Sequence, residues 1–211
     1  MKQQEFVRSL SVSQRAELTQ KSDMAGYKHL AVHVGGIVLL ATLVLLKLPL
    51  WPVLMLPLGV LIVFLFTLLH ETMHRTPFAT AAVNDRVAMV CGFLLFLGPS
   101  WFRCFHFAHH RYTQNPEKDP ELSEAKPQTP AQYVLHISGL PVWRAQMTTL
   151  LKNALGNIKE DYVPAAKRAS VVQEARVFLS LYHSCFYRSY CFFYVRYHAS
   201  GYSHRLRNSH S

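Results

Sequence analysis

Five histidines in two clusters are the residues of this sequence best suited to chemistry. His70 and His74 stand in the segment HETMH, and His106, His109 and His110 stand in the segment HFAHH. On a helix, residues three or four positions apart share one face, so each cluster can present its imidazoles together. Imidazole nitrogens bind iron, zinc, copper and nickel. The spacing therefore predicts a metal site and leaves the choice of metal open.

Two apolar segments precede the first cluster and must position it. They run from about Leu30 to Leu46 and from about Val53 to Leu69. Each is just long enough to cross roughly 30 Å of hydrocarbon as a helix. Lys47, Pro49 and Pro52 interrupt the helix between them, so we expect a tight antiparallel hairpin of two membrane spans.

A third apolar stretch, from Val87 to Phe102, leads to the second cluster. It is short and is interrupted by two glycines and a proline. A single crossing would place His70 and His106 on opposite faces of the membrane. If the two clusters act together, this stretch must lie in the interface or dip in and return, and its length fits such an interfacial or re-entrant segment.

Lysine and arginine flank the apolar segments and leave only Lys47 in the turn between the first two. Such cations collect on the cytoplasmic side of a membrane, so the N-terminus and both histidine clusters are expected to be cytoplasmic. The net charge of +10 has the same explanation. Because the cations form no tract, binding of nucleic acid is not expected. They are Lys2, Arg8, Arg15, Lys21 and Lys28 before the first segment, and Arg75, Arg86, Arg103 and Arg111 after the second.

The remaining segments are polar or amphipathic. Residues 1–26 form a polar cytoplasmic arm, in which Ser11 to Thr19 could form a short helix capped by Ser11 or Ser13. A proline-marked loop follows HFAHH, and residues 130–179 are expected to form helices on the cytoplasmic surface. The four cysteines form no CxxC pair and indicate no disulfide framework. The predicted fold is an all-α membrane protein with a two-span helical hairpin, a short interfacial or re-entrant segment and a cytoplasmic helical cap.

The order of these motifs resembles the membrane fatty acid desaturases and their hydroxylase relatives. HxxxH follows the second span, HxxHH comes a few dozen residues later, and the continuation carries Thr113 and the triplet Asp119, Pro120 and Glu121. The resemblance covers residues 27–181. It implies a cytoplasmic centre of two iron ions with five histidine ligands, His70, His74, His106, His109 and His110.

The resemblance also implies the reaction and its partners. O2-dependent removal of two hydrogens from a fatty acyl chain is expected, within membrane lipid and with electrons from a separate ferredoxin-like or cytochrome-type donor. An unactivated C–H bond resists acids and bases, so no catalytic residue beyond the metal centre is expected. Glu71 and Asp119 are candidate partners that orient the imidazoles. The acyl substrate and the position of the double bond stay open.

The chain departs from the family near its C-terminus. The family carries a third box, HxxHH, after two more spans, whereas His198, His204 and His210 have a different spacing. Residues 182–211 are rich in Tyr and Arg and hold no Asp, Glu or Lys. We therefore expect this tail to be atypical, out of frame or truncated, with the activity of the chain in question.

Three alternative functions stay open at this point. His70 to His74 also reads HExxH, the motif of zinc metalloproteases, in which two histidines bind zinc and the glutamate is the general base. A related diiron hydroxylase or carotenoid ketolase would use the same ligands. A non-catalytic membrane fragment would use none of them.

Overall fold

The computed structural model describes residues 3–123 and 126–208, and this part of the chain contains helices and no strand. It divides into two compact units, Met1–Leu95 and Phe96–Ser211. Two helical segments of the described residues are long and apolar enough to cross a membrane, and both belong to the first unit. The predicted all-α membrane protein is confirmed.

The described residues of the first unit form five helices. A short helix that was expected near Ser11 is present, because the Ser11 hydroxyl accepts from the Gln14 amide and the Gln14 side chain accepts from the Ser11 amide. The two predicted spans are helices of 23 residues each, about 35 Å long at the usual rise. The helices are α1 (Gln3–Ser9), α2 (Val12–Leu18), α3 (Asp23–Leu45), α4 (Trp51–Met73) and α5 (Ala81–Leu94).

The hairpin of α3 and α4 closes through a short loop with unusual backbone. Lys47 and Leu50 adopt left-handed φ angles of 50° and 66°, and Pro52 stands in the first turn of α4, where its missing N–H has no helical partner to lose. Inside the hairpin, His33 Nε2 lies 2.9 Å from the Leu61 carbonyl oxygen. His33 therefore joins the two packed helices, and interhelical hydrogen bonds of this kind help to hold membrane helices together.

The segment that follows the HETMH cluster is bound to the start of α3. Asp23 accepts hydrogen bonds from the Thr80 amide at 2.9 Å and the Thr80 hydroxyl at 2.6 Å. Phe78 is 1% exposed and its ring lies 5.4 Å from that of Tyr27. Gly26 leaves the space in which Phe78 packs, because a Cβ there would lie 2.5 Å from its ring. These contacts fix the chain directly after the last turn of α4.

The third apolar stretch of the sequence does not form one helix. Its first part belongs to α5, which ends at Leu94, and a new helix, α6 (Pro99–Tyr112), begins after Gly98. Each of these helices has 14 residues, or about 21 Å, which is less than a crossing requires. The helix is interrupted before Gly98 and Pro99, two of the residues that interrupt this apolar stretch in the sequence. The interfacial position of the stretch stays a prediction.

Where the second unit is described, it contains α6 and three further α-helices. Its longest helix packs against α6 and against the helix Leu140–Ala154, and it buries Val171, Ala175 and Phe178. This helix runs through the expected start of the tail at residue 182 without interruption. The elements after α6 are a 3₁₀ turn (Pro120–Leu122), α7 (Pro130–Ile137), α8 (Leu140–Ala154) and α9 (Ala165–Asn208).

We predict that Gly26→Ala destabilises the first unit by about 1–3 kcal/mol, because its methyl group would overlap the Phe78 ring and the Pro77 carbonyl. Thermal unfolding in detergent, followed by circular dichroism, measures the change. The matched control is Gly35→Ala in the same helix, where a Cβ meets no atom within 4 Å. Equal unfolding temperatures for the two variants would contradict the packing described here.

Candidate metal centre

The HETMH cluster stands at the last turn of α4. His70 lies inside the helix and His74 is its C-cap, with the ring centroids 5.2 Å apart. The helix ends there because Arg75 turns into the left-handed region, and the amides of Arg75 and Thr76 bond back to Thr72 and Glu71. This is the hydrogen-bond pattern of a Schellman motif, which usually has glycine at the left-handed position. Both imidazoles therefore lie at a firmly terminated helix end.

Glu71 contacts the first imidazole of this cluster. One of its carboxylate oxygens lies 3.2 Å from His70 Nδ1, and the other accepts the Thr76 hydroxyl at 2.6 Å. Thr76 therefore holds the carboxylate in place beside the ring. A histidine that donates from Nδ1 carries its lone pair on Nε2, so this contact would make Nε2 the metal-binding nitrogen of His70.

The HFAHH cluster lies in the last two turns of α6. His106 is 3% exposed and stacks on Phe102, with ring centroids 5.5 Å apart. The Nε2 atoms of His106 and His110 face each other at 3.0 Å. Two nitrogens that share one metal at bond lengths of about 2.1 Å and an angle of about 90° also lie about 3 Å apart. The donor set and spacing within this cluster therefore fit a metal ion.

His109 points instead to a carboxylate in the loop after α6. Its Nδ1 lies 2.9 Å from Asp119, which is buried and also accepts from the amides of Gln114 and Glu121. Burial raises the pKa of Asp119, but the bonds from His109 and the two amides outweigh burial and hold that pKa below its ordinary value. Asp119 is thus a charged acceptor that orients His109 with Nε2 available to a metal.

Glu174 of α9 caps the N-terminus of α6, the helix that carries HFAHH. Its carboxylate accepts from the Ser100 amide at 2.9 Å and from the Ser100 hydroxyl at 2.7 Å. A Cβ at Gly98 would lie 2.8 Å from the same carboxylate, so glycine leaves room for it. Burial raises the pKa of Glu174, and the Ser100 hydrogen bonds oppose that shift. A negative charge at a helix N-terminus is also favoured by the helix dipole.

Sequence reasoning missed this contact, although one local signal existed. The N-cap of α6 is Gly98, and no side-chain hydrogen bond is made by that residue. A helix start without a capping side chain needs an acceptor from elsewhere. The same α9 supplies Arg176, whose Nε donates to the Ala154 carbonyl at the C-terminus of α8 at 2.8 Å.

A cleft of about 1590 Å³ opens beside α6 in the second unit. Three aromatic rings, those of Trp101, Phe105 and Tyr162, pack against one another along its wall. Arg111 and Asp119 are among its polar lining residues. Phe107 and Ala108 of HFAHH line the cleft, and its three histidines do not.

Three further histidines, His29, His33 and His183, lie on other helices. His29 is exposed near the start of α3, and His33 bonds to α4. His183 is exposed on α9, and its ring stacks on Tyr187. His198 and His204 belong to the tail after residue 181 that was predicted to be atypical, and they lie within α9. His210, in the same tail, lies outside the described residues.

The family model for fatty acid desaturases matches residues 24–208. The match includes both histidine clusters and most of the two units. Comparison with curated proteins and with solved structures gives no significant match.

We predict that Glu174→Ala lowers the stability of the second unit by about 0.5–2 kcal/mol, the usual cost of removing a helix cap. Ser100→Ala should lower the stability less, since the hydrogen bond from the Ser100 backbone amide to Glu174 remains. Thermal unfolding of the detergent-purified protein measures both changes. Glu117→Gln, at an exposed carboxyl in the same unit, is the control. A Glu174→Ala variant as stable as this control would show that the cap is dispensable.

The raised pKa of Glu174 has a consequence for pH. The folded protein holds this proton more tightly than the unfolded chain, whose pKa lies near 4.5. The contribution of Glu174 to the free energy of unfolding therefore falls as pH rises from about 4.5 through the raised pKa. Unfolding temperatures measured across this range should decline less in Glu174→Gln than in the wild type. Parallel pH profiles would contradict the assignment.

Proposed function

Because the chain belongs to the fatty acid desaturase family, we propose that it removes two hydrogens from a fatty acyl chain, with O2 as the oxidant, at a centre of two iron ions. The chain is an integral membrane protein by its family and its two apolar helices. The observation that carries the proposal is the 3.0 Å separation of His106 Nε2 and His110 Nε2. These two imidazole nitrogens are as close together as two ligands of one metal ion.

The proposed iron ligands are the five histidines of the two clusters. Bound iron would supply the activation of O2 that breaks an unreactive C–H bond. The residues fit such a group, because all five donors are imidazoles, and two of them, His70 and His109, contact carboxylates at Nδ1. The ligands are His70, His74, His106, His109 and His110.

The surrounding residues would fix the orientation of these imidazoles. Asp119 keeps the proton of His109 at Nδ1, and Glu71 does the same for His70. Phe102 covers one face of His106 and keeps that imidazole from water. Glu174 holds the start of α6 and thereby the whole HFAHH face. Glu71 and Asp119 are positioning residues in this proposal.

The partners follow from the family. The substrate is a fatty acyl chain delivered from membrane lipid, and we propose that electrons come from a ferredoxin-like or cytochrome-type protein in the cytoplasm. The charge pattern around α3 and α4 supports a cytoplasmic position for both histidine clusters, since cations flank the hairpin and avoid its turn.

We predict that the detergent-purified protein contains iron, at two ions per chain. His106→Ala/His109→Ala should lose it, because both residues belong to the proposed ligand set. Metal analysis of iron and zinc per chain makes the measurement. His183→Ala is the control, since this exposed histidine lies on α9 and belongs to neither cluster.

Each other outcome of that experiment would contradict the proposal or favour a different function. One zinc per chain that survives in the double variant would favour the HExxH metalloprotease, and Glu71→Gln would then abolish its activity. Absence of both metals from the wild type would contradict the desaturase proposal. Iron in the wild type without oxidation of acyl substrates to alkenes would favour the related hydroxylase or ketolase.

Asp119→Asn should weaken iron binding by about 10- to 100-fold, the usual effect of losing a carboxylate behind a ligating histidine. The variant keeps the shape of the side chain and removes the charge that orients His109. Competition with a chelator measures the affinity, and circular dichroism checks that the helices remain. Glu117→Gln in the same loop is the control. An unchanged affinity would remove Asp119 from the site.

A further inference from the structure

The surface of α7 and α8 exposes large apolar side chains although neither helix is a candidate membrane span. Leu155 is 81% exposed and Ile137 is 64% exposed. Monomeric soluble proteins rarely expose large contiguous apolar patches, and those that do use them to bind a partner or a membrane. We name as the α7–α8 surface the residues Val134, Ile137, Leu140, Trp143, Leu151 and Leu155, all of which are exposed.

The spacing of these residues places them on one side of each helix. Val134 and Ile137 are three positions apart on α7. Leu140, Trp143 and Leu151 recur at helical intervals on α8, and Leu155 is its C-cap. Gly139, with a φ of 74°, makes the turn between the two helices, which pack against each other. These six side chains therefore lie on one face of each helix, and Leu135 and Val142 are also exposed.

The charge of this region selects the kind of partner. From residue 126 to residue 159 the sequence contains no Asp or Glu and four cations, Lys126, Arg144, Lys152 and Lys159. Lysine and arginine next to apolar residues can lay their stems on the apolar surface and hold their charges outward. A segment that exposes apolar side chains and carries cations as its only formal charges complements anionic lipid headgroups. A second copy of the same surface would bring like charges together.

The exposed aromatic residues of these helices also favour a lipid surface as the partner. Trp143 is 41% exposed on α8, and Tyr133 is 58% exposed on α7. Tryptophan and tyrosine collect at the boundary between lipid and water, because one end of each ring is apolar and the other is polar. Two other helices of the chain, α3 and α4, are apolar and long enough to anchor it in a bilayer. The α7–α8 surface therefore belongs to a protein that is held at a lipid surface.

We propose that the α7–α8 surface lies in the headgroup region of the bilayer and binds anionic phospholipid. The second unit would then contact the membrane through its own helices. This inference does not depend on the proposed oxidation of acyl chains or on metal binding.

The test uses the full chain in lipid bilayers. The four native cysteines, all free, are replaced by alanine, and single cysteines are introduced as Val134→Cys and Leu151→Cys. Each is spin-labelled, and its collision rates with O2 and with a water-soluble nickel complex are compared by electron paramagnetic resonance. Bilayers of phosphatidylcholine alone and with phosphatidylglycerol are used. Ser123→Cys, exposed in the polar loop of the same unit, is the control.

Labels at residues 134 and 151 should show high collision rates with O2 and low rates with nickel, and phosphatidylglycerol should strengthen this shift. The label at residue 123 should stay aqueous in both lipids. Nickel collision rates equal to those of the control in both lipids would overturn the proposal. Protection that persists in detergent and grows with protein concentration would also overturn it and indicate a second copy of the chain.

A second variant guards against misfolding of the cysteine-free protein. Arg144→Glu/Lys152→Glu keeps the native cysteines and reverses two charges beside the apolar residues. Quenching of Trp143 by brominated lipid, measured with Trp51→Phe and Trp101→Phe, should lose the increase that phosphatidylglycerol produces. An unchanged response to phosphatidylglycerol would show that anionic lipid is not recognised here.

Discussion

The carboxylate of Glu174 accepts two hydrogen bonds from Ser100 at the start of α6, and the arrangement of the second unit depends on this contact. Two positions further along α9, Arg176 donates to the last turn of α8. The negative side chain meets a helix N-terminus and the positive one meets a C-terminus, as the helix dipoles favour. Residues two apart on a helix point in different directions, so α9 can join α6 on one side and α8 on another.

A comparable constraint operates in the first unit at the other histidine cluster. The Schellman turn at Arg75 stops α4 directly after His74, and Asp23 holds the following segment at Thr80. A helix end usually frays, and ligand positions on a frayed turn would vary. Here buried Leu69, Thr72 and Met73 fix the same turn from the apolar side. Both clusters therefore lie on helix segments whose ends are bound by side chains distant in sequence.

Carboxylates contact both clusters, but they are held in different ways. Asp119 is buried and receives bonds from two backbone amides, so its position is set by the loop. Glu71 is partly exposed and is held by one threonine hydroxyl. A charge that the backbone already satisfies orients an imidazole more strictly than one on a flexible side chain. His109 is accordingly the better oriented of the two histidines.

Local regularities of the sequence were sufficient to predict the two apolar helices, a short helix capped near Ser11 and the shared helical face of each histidine cluster. Each of these depends on residues within a few positions of one another, where helical spacing and side-chain type decide the outcome. Sequence could not predict the contacts that position the clusters. Glu174 and Ser100 are 74 positions apart and Asp23 and Thr80 are 57 apart. No periodic pattern connects such pairs, and only the packing of the folded helices brings their hydrogen-bonding groups together.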